Sequence, residues 1–222
     1  MTITGKVPRR LAALLSAVLL FGALAKAAED ASPLADPLAG QLLVATTKMR
    51  DPRFRHAVVL LLRHNEKGAF GIVINRPLGE RPIASLLAEA DGKRGHGDGK
   101  KDGKPGDSAA IEGTIRVFLG GPVQPRYGFV VHSTDYRRPE TLAVSDTVAM
   151  TASKDVLRDI GKKRGPARYL FALGYSGWSA GQLEGEIARR DWFTAPADPD
   201  LIFEADTGTI WEKAMARRLR EL

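Results

Sequence analysis

The sequence of 222 residues contains no cysteine, which excludes disulfides and a lipid anchor on cysteine. It also lacks a G-x-G-x-x-G pattern, a Walker loop and a zinc signature, which argues against classical nucleotide chemistry. No apolar run reaches the roughly 20 residues that a helix needs to cross a membrane. What is present, 44% hydrophobic and 27% charged residues, is ordinary for a soluble protein and sufficient for one well-buried domain.

An apolar run near the start of the chain predicts an export signal. Basic residues precede a 15-residue, almost wholly apolar run at 11–25, and Ala25 and Ala27 stand where a signal peptidase reads. The alternative is an upstream in-frame start that adds a fortuitous apolar extension. We expect export to the periplasm if the leader is genuine, a cytoplasmic location otherwise, and no stable membrane anchor. The predicted division is a signal peptide at 1–27, a flexible linker at 28–39 and a single domain at 40–222.

The formal charge of +7 raises the question of nucleic-acid binding. Four of the 33 lysines and arginines lie in the predicted leader and no acid does, so the rest of the chain carries 29 basic and 26 acidic residues, a charge of +3. These bases are scattered, whereas a phosphate-tracking groove needs a concentrated basic stripe with aromatic platforms. Nucleic-acid binding therefore stands as an alternative, and we do not expect it.

Apolar patterning predicts an α+β protein. The runs 57–62 and 70–75 predict an antiparallel hairpin, and 82–90 predicts a helix that begins at Pro82. A consecutive strand, helix, strand, helix pattern begins at residue 147 and predicts a parallel crossover whose two strands lie side by side. Further strands are predicted at 115–120, 128–133, 147–152 and 169–174, with a loop at 121–127 and a last helix that sets Trp211, Met215, Leu219 and Leu222 on one face.

A glycine-rich stretch at 91–106 predicts a disordered insertion, because its six glycines and eight charged residues come without an apolar side chain. The nearest approach to a metal site there is His96 with Asp91, Asp98 and Asp102. Such a mobile set would have to order on binding, so a solvated loop is favoured. His56 and His64 are separated by about 26 Å of extended strand and cannot share an ion. We expect neither a metal nor another cofactor.

The stretch GYSGW at 174–178 looks at first like the serine-bearing turn of a hydrolase. A nucleophile elbow, G-x-S-x-G, requires glycine at the position that Trp178 occupies here. We therefore interpret GYSGW as the turn from a strand to a helix, with Ser179 and Gln182 as a capping box. A serine hydrolase that uses Ser176 remains an alternative, and no catalytic residue is assigned.

If the predicted crossover places its two strands side by side, each strand leads into a helix N-terminus at the same edge of the sheet. Free N–H groups at such termini attract anions or polar ligands. This edge is then a candidate crevice for a small anion or another polar ligand, although the same residues could only cap helices and seal the core. Our ligand-binding candidates are Asn75, Thr151, Ser153, Tyr175, Trp178 and Gln182.

The ordered segments together resemble the YqgE/AlgH family across residues 40 to about 216. Three motifs carry the resemblance: N-R-P at 75–77, G-G-P at 120–122, and G-Y-x-x-W-x-x-G-Q-L-E from Gly174 to Glu184. The resemblance implies a compact α+β domain with a barrel-like sheet surrounded by helices and no established biochemical activity. Some members are described as transcriptional regulators, and members can carry alanine where Ser176 stands. The leader and the longer insertion at 91–106 depart from the family pattern.

The hypothesis that follows is a non-catalytic binding or regulatory domain, exported in this organism. The sequence identifies no partner and no reaction. The rival hypotheses are the serine hydrolase and a transcriptional regulator that binds nucleic acid.

Overall fold

The computed structural model describes residues 38–91, 111–203 and 206–218. The predicted signal peptide, all but the last two residues of the predicted linker, and residues 92–106 of the predicted insertion with His96, Asp98 and Asp102 lie outside this part of the chain. Within it, the strands are β1 Gln41–Ala45, β2 Val58–Asn65, β3 Gly68–Val73, β4 Pro77–Pro82, β5 Thr114–Leu119, β6 Val123–Ser133, β7 Thr141–Ala143, β8 Val148–Thr151, β9 Tyr169–Ser179 and β10 Trp192–Pro196. The helices are α1 Ile83–Ala90, α2 Lys154–Gly161, α3 Gln182–Ala188, α4 Pro199–Phe203 and α5 Ile210–Arg218, and a 3₁₀ turn spans Pro52–Phe54.

The strands form one curled sheet that resembles half of a barrel. Its order is β10-β1-β2-β3-β9-β6-β8-β7, while β5 pairs with β9 and β4 pairs with β5. Strand pairs are antiparallel except β5 with β9, which is parallel. The α+β class and the mixed, barrel-like sheet are confirmed.

Strand β9 joins the two halves of this sheet. Its first half pairs with β5 and β6, and its last residues, 176–179, pair with β3. Between the two halves, Gly174 has φ +71°, in the left-handed region that favours glycine. The backbone can therefore change direction at this point, so that β9 pairs with strands of both halves.

The predicted hairpin is confirmed, since β2 and β3 pair antiparallel across the two-residue turn Glu66-Lys67. The apolar run in β2 is continuous because both of its faces are buried. Val58, Leu60 and Leu62 face the main core, whereas Val59 and Leu61 face a second core beneath α3. The two strands extend further toward the turn than predicted, to Asn65 and Gly68, whereas β3 ends at Val73, before the predicted bound of 75.

The predicted order of strand, helix, strand, helix is confirmed in β8, α2, β9 and α3, but the prediction that the two strands lie side by side is wrong. Strand β6 separates them and is antiparallel to both. Val130 pairs with Thr151 on one side and with Phe171 on the other. Residues 123–127 of the predicted loop at 121–127 instead form the first part of β6, and a register shift between Val123 and Gly128 accommodates Pro125.

The last predicted strand is longer than expected. It continues past residue 174 to Ser179, so GYSGW lies within a strand and the turn to α3 follows at 180–181. At the C-terminus, Trp211 and Met215 pack against the main core as predicted, while Leu219 and Leu222 fall outside the described residues. Across 38–91, 111–203 and 206–218, no helix has both the length and the apolar character needed to span a membrane.

Candidate functional site

The N-R-P and G-G-P motifs meet in space, although 45 positions separate their starts. N-R-P follows β3 and G-G-P follows β5. The Val73 N–H donates to the Gly120 carbonyl and the Leu119 N–H to the Arg76 carbonyl, both at 2.8 Å. A side chain at Gly121 would collide with the backbone of Tyr175 and Ser176. Parts of all three family motifs therefore contact one another at the junction of the sheet.

Asn75 fixes the loop that precedes β2. Its Oδ1 accepts from the Val58 N–H at 2.9 Å, and its Nδ2 donates to the His56 carbonyl at 2.8 Å. His56 has φ +54°, a conformation that costs a side-chain-bearing residue roughly 1 kcal/mol or more. The first of the predicted ligand-binding candidates is thus a positioning residue beside the site, where it holds the loop at 51–57.

Arg76 lies over the same loop and is partly buried. Its Nη2 donates to the Arg55 carbonyl at 3.1 Å. Burial lowers the pKa of Arg76, and the nearby Asp51 carboxylate opposes that effect. Among the described residues, no carboxylate forms an ion pair with this guanidinium, and its Nε and Nη1 have no hydrogen-bond partner. Arg76 is therefore a partly desolvated cation whose Nε and Nη1 have no hydrogen-bond partner among the described residues.

Arg76 is one of the residues that line a recess of about 150 Å³, which we call the motif recess. Its walls are mainly apolar, and Arg53 from the 3₁₀ turn is a second cationic residue of the lining. This volume is similar to that of cavities known to hold benzene. The motif recess is lined by Arg53, Phe54, Val73, Arg76, Leu119, Gly121 and Pro122.

Ser176 is fully buried within β9, and its Oγ donates to the Gly120 carbonyl at 3.3 Å. A nucleophile elbow instead presents its serine at an exposed turn between a strand and a helix. Ser176 therefore contributes to packing between β9 and the G-G-P turn, and its surroundings do not favour a hydrolase.

Trp178 and Gln182 bind one carboxylate, that of Glu186 in α3. The Nε1 groups of Trp178 and Trp192 each donate to Glu186 Oε2 at 2.8 Å, and Gln182 Nε2 donates to Oε1 at 3.0 Å. Gln182 Oε1 also accepts from the Ser179 N–H at 3.0 Å, which is one half of the predicted capping box. Gly181, not Ser179, is the N-cap residue of α3. These candidates attach α3 to the sheet.

Glu184 faces away from Glu186, since residues two apart on a helix lie on opposite sides of it. Its Oε1 lies 2.8 Å from Nε2 of His64, a buried residue of β2. Hydrogen bonding with its own backbone amide and with His64 lowers the pKa of Glu184. This family-motif carboxylate therefore ties α3 to the hairpin.

Thr151 belongs to a buried hydrogen-bonded chain across three strands. His132 Nδ1 lies 2.8 Å from the Ser133 carbonyl, which can only accept, so Nδ1 carries the proton. Nε2 must then accept from Thr151 Oγ1 at 2.9 Å, and Thr151 accepts in turn from Thr141 at 2.8 Å. The Thr141 oxygen also accepts from the Arg138 N–H at 2.9 Å. Thr151 is thus a structural link and is not available to a ligand.

The other two candidates also have packing roles. Ser153 is the N-cap of α2, and its Oγ accepts from the Asp155 N–H at 3.2 Å. The Tyr175 ring packs against Phe70 and Phe129, with ring centroids 4.8 and 6.0 Å apart.

The structure does not bring the six candidates into one crevice. Thr151 is level with Phe171 across β6, and Trp178 lies seven residues further along β9, roughly 20 Å away along the strand. The predicted crevice is therefore wrong, because β6 separates the strands that were expected to be neighbours. In the described part of the chain, no group of three or more histidine, aspartate or glutamate residues could hold a metal ion.

Sequence reasoning missed that Arg53, Phe54 and Arg76 line one recess. Asp51 followed by Pro52 is a signature of a capped turn, and Asp51 Oδ1 indeed accepts from the Arg53 N–H at 2.9 Å. That signal locates the 3₁₀ turn in the sequence, but it does not show that the turn faces the two motifs.

The fold and the motif recess define an α+β half-barrel protein with a small recess lined by two arginines and with a buried motif serine. A family model described as AlgH-like matches residues 42–221. A UPF0301 protein from Ruegeria pomeroyi is 42% identical over 179 residues, which are 80% of this chain and 90% of that protein. A UPF0301 protein from Rhodospirillum rubrum is also 42% identical, over 185 residues covering 81% and 86%.

Solved structures agree with this assignment. The solution structure of AlgH from Pseudomonas aeruginosa is 37% identical in sequence, with a TM-score of 0.64, and covers 85% of this chain and 92% of that one. The crystal structure of a Corynebacterium diphtheriae protein, 21% identical with a TM-score of 0.58, shares the fold. The chain belongs to the AlgH-like family, as the motifs predicted, and this family has no established catalytic activity. Neither the relatives nor the fold favours the hydrolase or the nucleic-acid alternative.

Proposed function

We propose that this protein is a non-catalytic binding domain that takes a small anion in the motif recess. The observation that carries the proposal is the partly buried guanidinium of Arg76, which has no carboxylate partner among the described residues and belongs to a residue that lines an apolar-walled recess. This site replaces the crevice predicted from the sequence.

The electrostatics of Arg76 favour an anionic ligand. Arginine stays protonated at ordinary pH, so the burial that lowers its pKa costs solvation free energy without removing the charge. An anion held by the free guanidinium donors would recover part of that cost, since charge-assisted hydrogen bonds are stronger than neutral ones. Apolar walls would strengthen the attraction by excluding water.

A titration with sodium benzoate, followed by amide NMR signals, tests the proposal. We expect saturable shifts at the amides of Val73, Leu119 and Gly121, which line the motif recess. Arg76→Gln should weaken binding at least about tenfold, the loss expected when a charge-assisted hydrogen bond disappears. The matched control is Arg126→Gln, which removes an equal charge from an exposed position on β6. Equal binding by both variants, or no shift in the unmodified protein, would contradict the proposal.

We also propose that the protein acts outside the cytoplasm. The support is the charged, then apolar, then small-residue pattern of the first 27 residues. Mass spectrometry of the mature N-terminus from the native cell should find a start at Ala28. An intact leader, or a start near Gly40, would show that the chain is not exported in this way.

A further inference from the structure

We infer that the motif recess selects monoanions, in particular carboxylates with a small apolar body, and that Asp51 sets this charge selectivity. The inference rests on the proposed function, because it concerns which anion the same site accepts.

Asp51 neutralises one of the two cations at the site. Its Oδ1 and Oδ2 each accept from Arg53 Nε at 3.1 Å, and Oδ2 accepts from Arg53 Nη2 at 2.7 Å. Asp51 is also close enough to Arg76 for that guanidinium to help lower the pKa of Asp51, after the larger effect of the hydrogen bond from Arg53. Two guanidiniums and one carboxylate leave a net charge of +1.

The free donors of Arg76 suit a carboxylate. Nη2 gives one of its two N–H groups to the Arg55 carbonyl, and Nε and Nη1 have no partner among the described residues. Each edge of a guanidinium with two parallel N–H groups includes one N–H of Nη2, so the second Nη2 hydrogen leaves one edge that can meet the two oxygens of a carboxylate, whereas a phosphate has a third oxygen to satisfy.

Apart from the two arginines, the walls of the recess offer a dianion few hydrogen-bond donors. Val73 and Leu119 present apolar side chains, their backbone N–H groups are already bonded to other carbonyls, and Pro122 has no N–H. The cost of moving an ion out of water grows steeply with its charge, and a net charge of +1 offsets only one negative charge. A dianion would also be repelled twice as strongly by Asp51.

Two probes with the same ring and different charge test the inference: benzoate and phenyl phosphate, titrated at pH 8 and low salt. Phosphate monoesters have a second pKa near 6, so phenyl phosphate is a dianion at this pH. We expect the unmodified protein to bind benzoate several-fold more tightly. Asp51→Asn should shift the ratio of the two affinities toward phenyl phosphate by roughly three- to tenfold, which is the size of effect expected when one unit charge is removed from a site near the protein surface.

Asp51→Asn is a conservative probe because asparagine also caps turns and retains the acceptor for the Arg53 N–H. The control is Asp146→Asn, which removes an exposed carboxylate from the turn before β8 and should leave the ratio unchanged. Tighter binding of phenyl phosphate by the unmodified protein, or an unchanged ratio in Asp51→Asn, would overturn the inference while leaving the anion site intact. If neither probe binds, the proposed function itself fails.

Discussion

Glu186 is a single side chain on which the attachment of α3 depends. Its carboxylate accepts three N–H groups, two of them from tryptophans that are almost fully buried. A buried indole N–H without a partner costs about 1–3 kcal/mol. The tryptophan and glutamine of the family motif are therefore explained by attachment of the helix to the sheet, without any ligand.

Glu186→Ala should destabilise the protein by about 2–4 kcal/mol, because two indole N–H groups lose their acceptor at once. Urea denaturation followed by tryptophan fluorescence measures the change in unfolding free energy. The comparison variant is Glu66→Ala in the exposed hairpin turn, which should change it by less than about 0.5 kcal/mol. Similar midpoints for the two variants would show that the carboxylate does not hold α3.

At the scale of secondary-structure elements, strands β6, β7 and β8 are held together by the series of buried hydrogen bonds that runs from Thr141 through Thr151 to His132. His132 is fully buried, and its ring packs edge-on against Tyr136 at 5.5 Å. Burial lowers the pKa of His132 from its ordinary value of 6.5, opposed by the Ser133 carbonyl and by Asp135. These strands are therefore held together by a neutral imidazole.

This burial predicts a pH-dependent stability. The unfolded chain takes up a proton near pH 6.5, before the folded protein does, so it binds more protons in this range and stability must rise with pH. The contribution is fully present above about pH 6.5 and is lost as the pH falls toward the lower pKa of the folded state. Unfolding free energies measured by urea between pH 8 and 5 should show this loss.

His132→Gln should flatten the slope in that range, because glutamine does not titrate. Carboxylates with lowered pKa values, such as Glu184 and Asp198, lose their contribution only at lower pH, below their ordinary values of 4.5 and 3.8. An unchanged slope between pH 6.5 and 5 in the variant would rule out His132 as its source.

At the scale of the whole molecule, the half-barrel depends on β9 serving both halves of the sheet. Gly174 lies at this junction with φ +71°, and a Cβ there would lie 2.6 Å from the Gly121 carbonyl oxygen. The G-G-P turn therefore packs against backbone where no side chain fits. The same close approach positions the floor of the motif recess.

Gly174→Ala should destabilise the fold by more than about 2 kcal/mol, through the left-handed backbone and the backbone clash together. Gly181→Ala is a matched control, because Gly181 has φ +73° with nothing within 4 Å of its Cβ position. It should cost only about 1 kcal/mol. Equal losses in thermal or urea unfolding would show that the junction is not tightly packed.

The elements that could be predicted from the sequence are those that depend on residues close together in the chain. The hairpin was found because β2 is buried on both faces, which produces a continuous apolar run in the sequence. The extension of β9 to Ser179 was missed, since its partner residues in β3 lie more than a hundred positions earlier in the chain.

The sequence by itself determined the family, the α+β class and the order of most elements, because periodicity, capping and motif spacing depend on residues that are close together in the chain. Only the tertiary structure decided that β6 lies between β8 and β9, and that Arg53 and Arg76 open onto one recess. Both depend on pairing free energies between distant segments, which no local pattern specifies. For the same reason, the six residues predicted to bind a ligand lie apart and make contacts within the fold, and Arg76, to which we assign an anion, comes from the N-R-P motif.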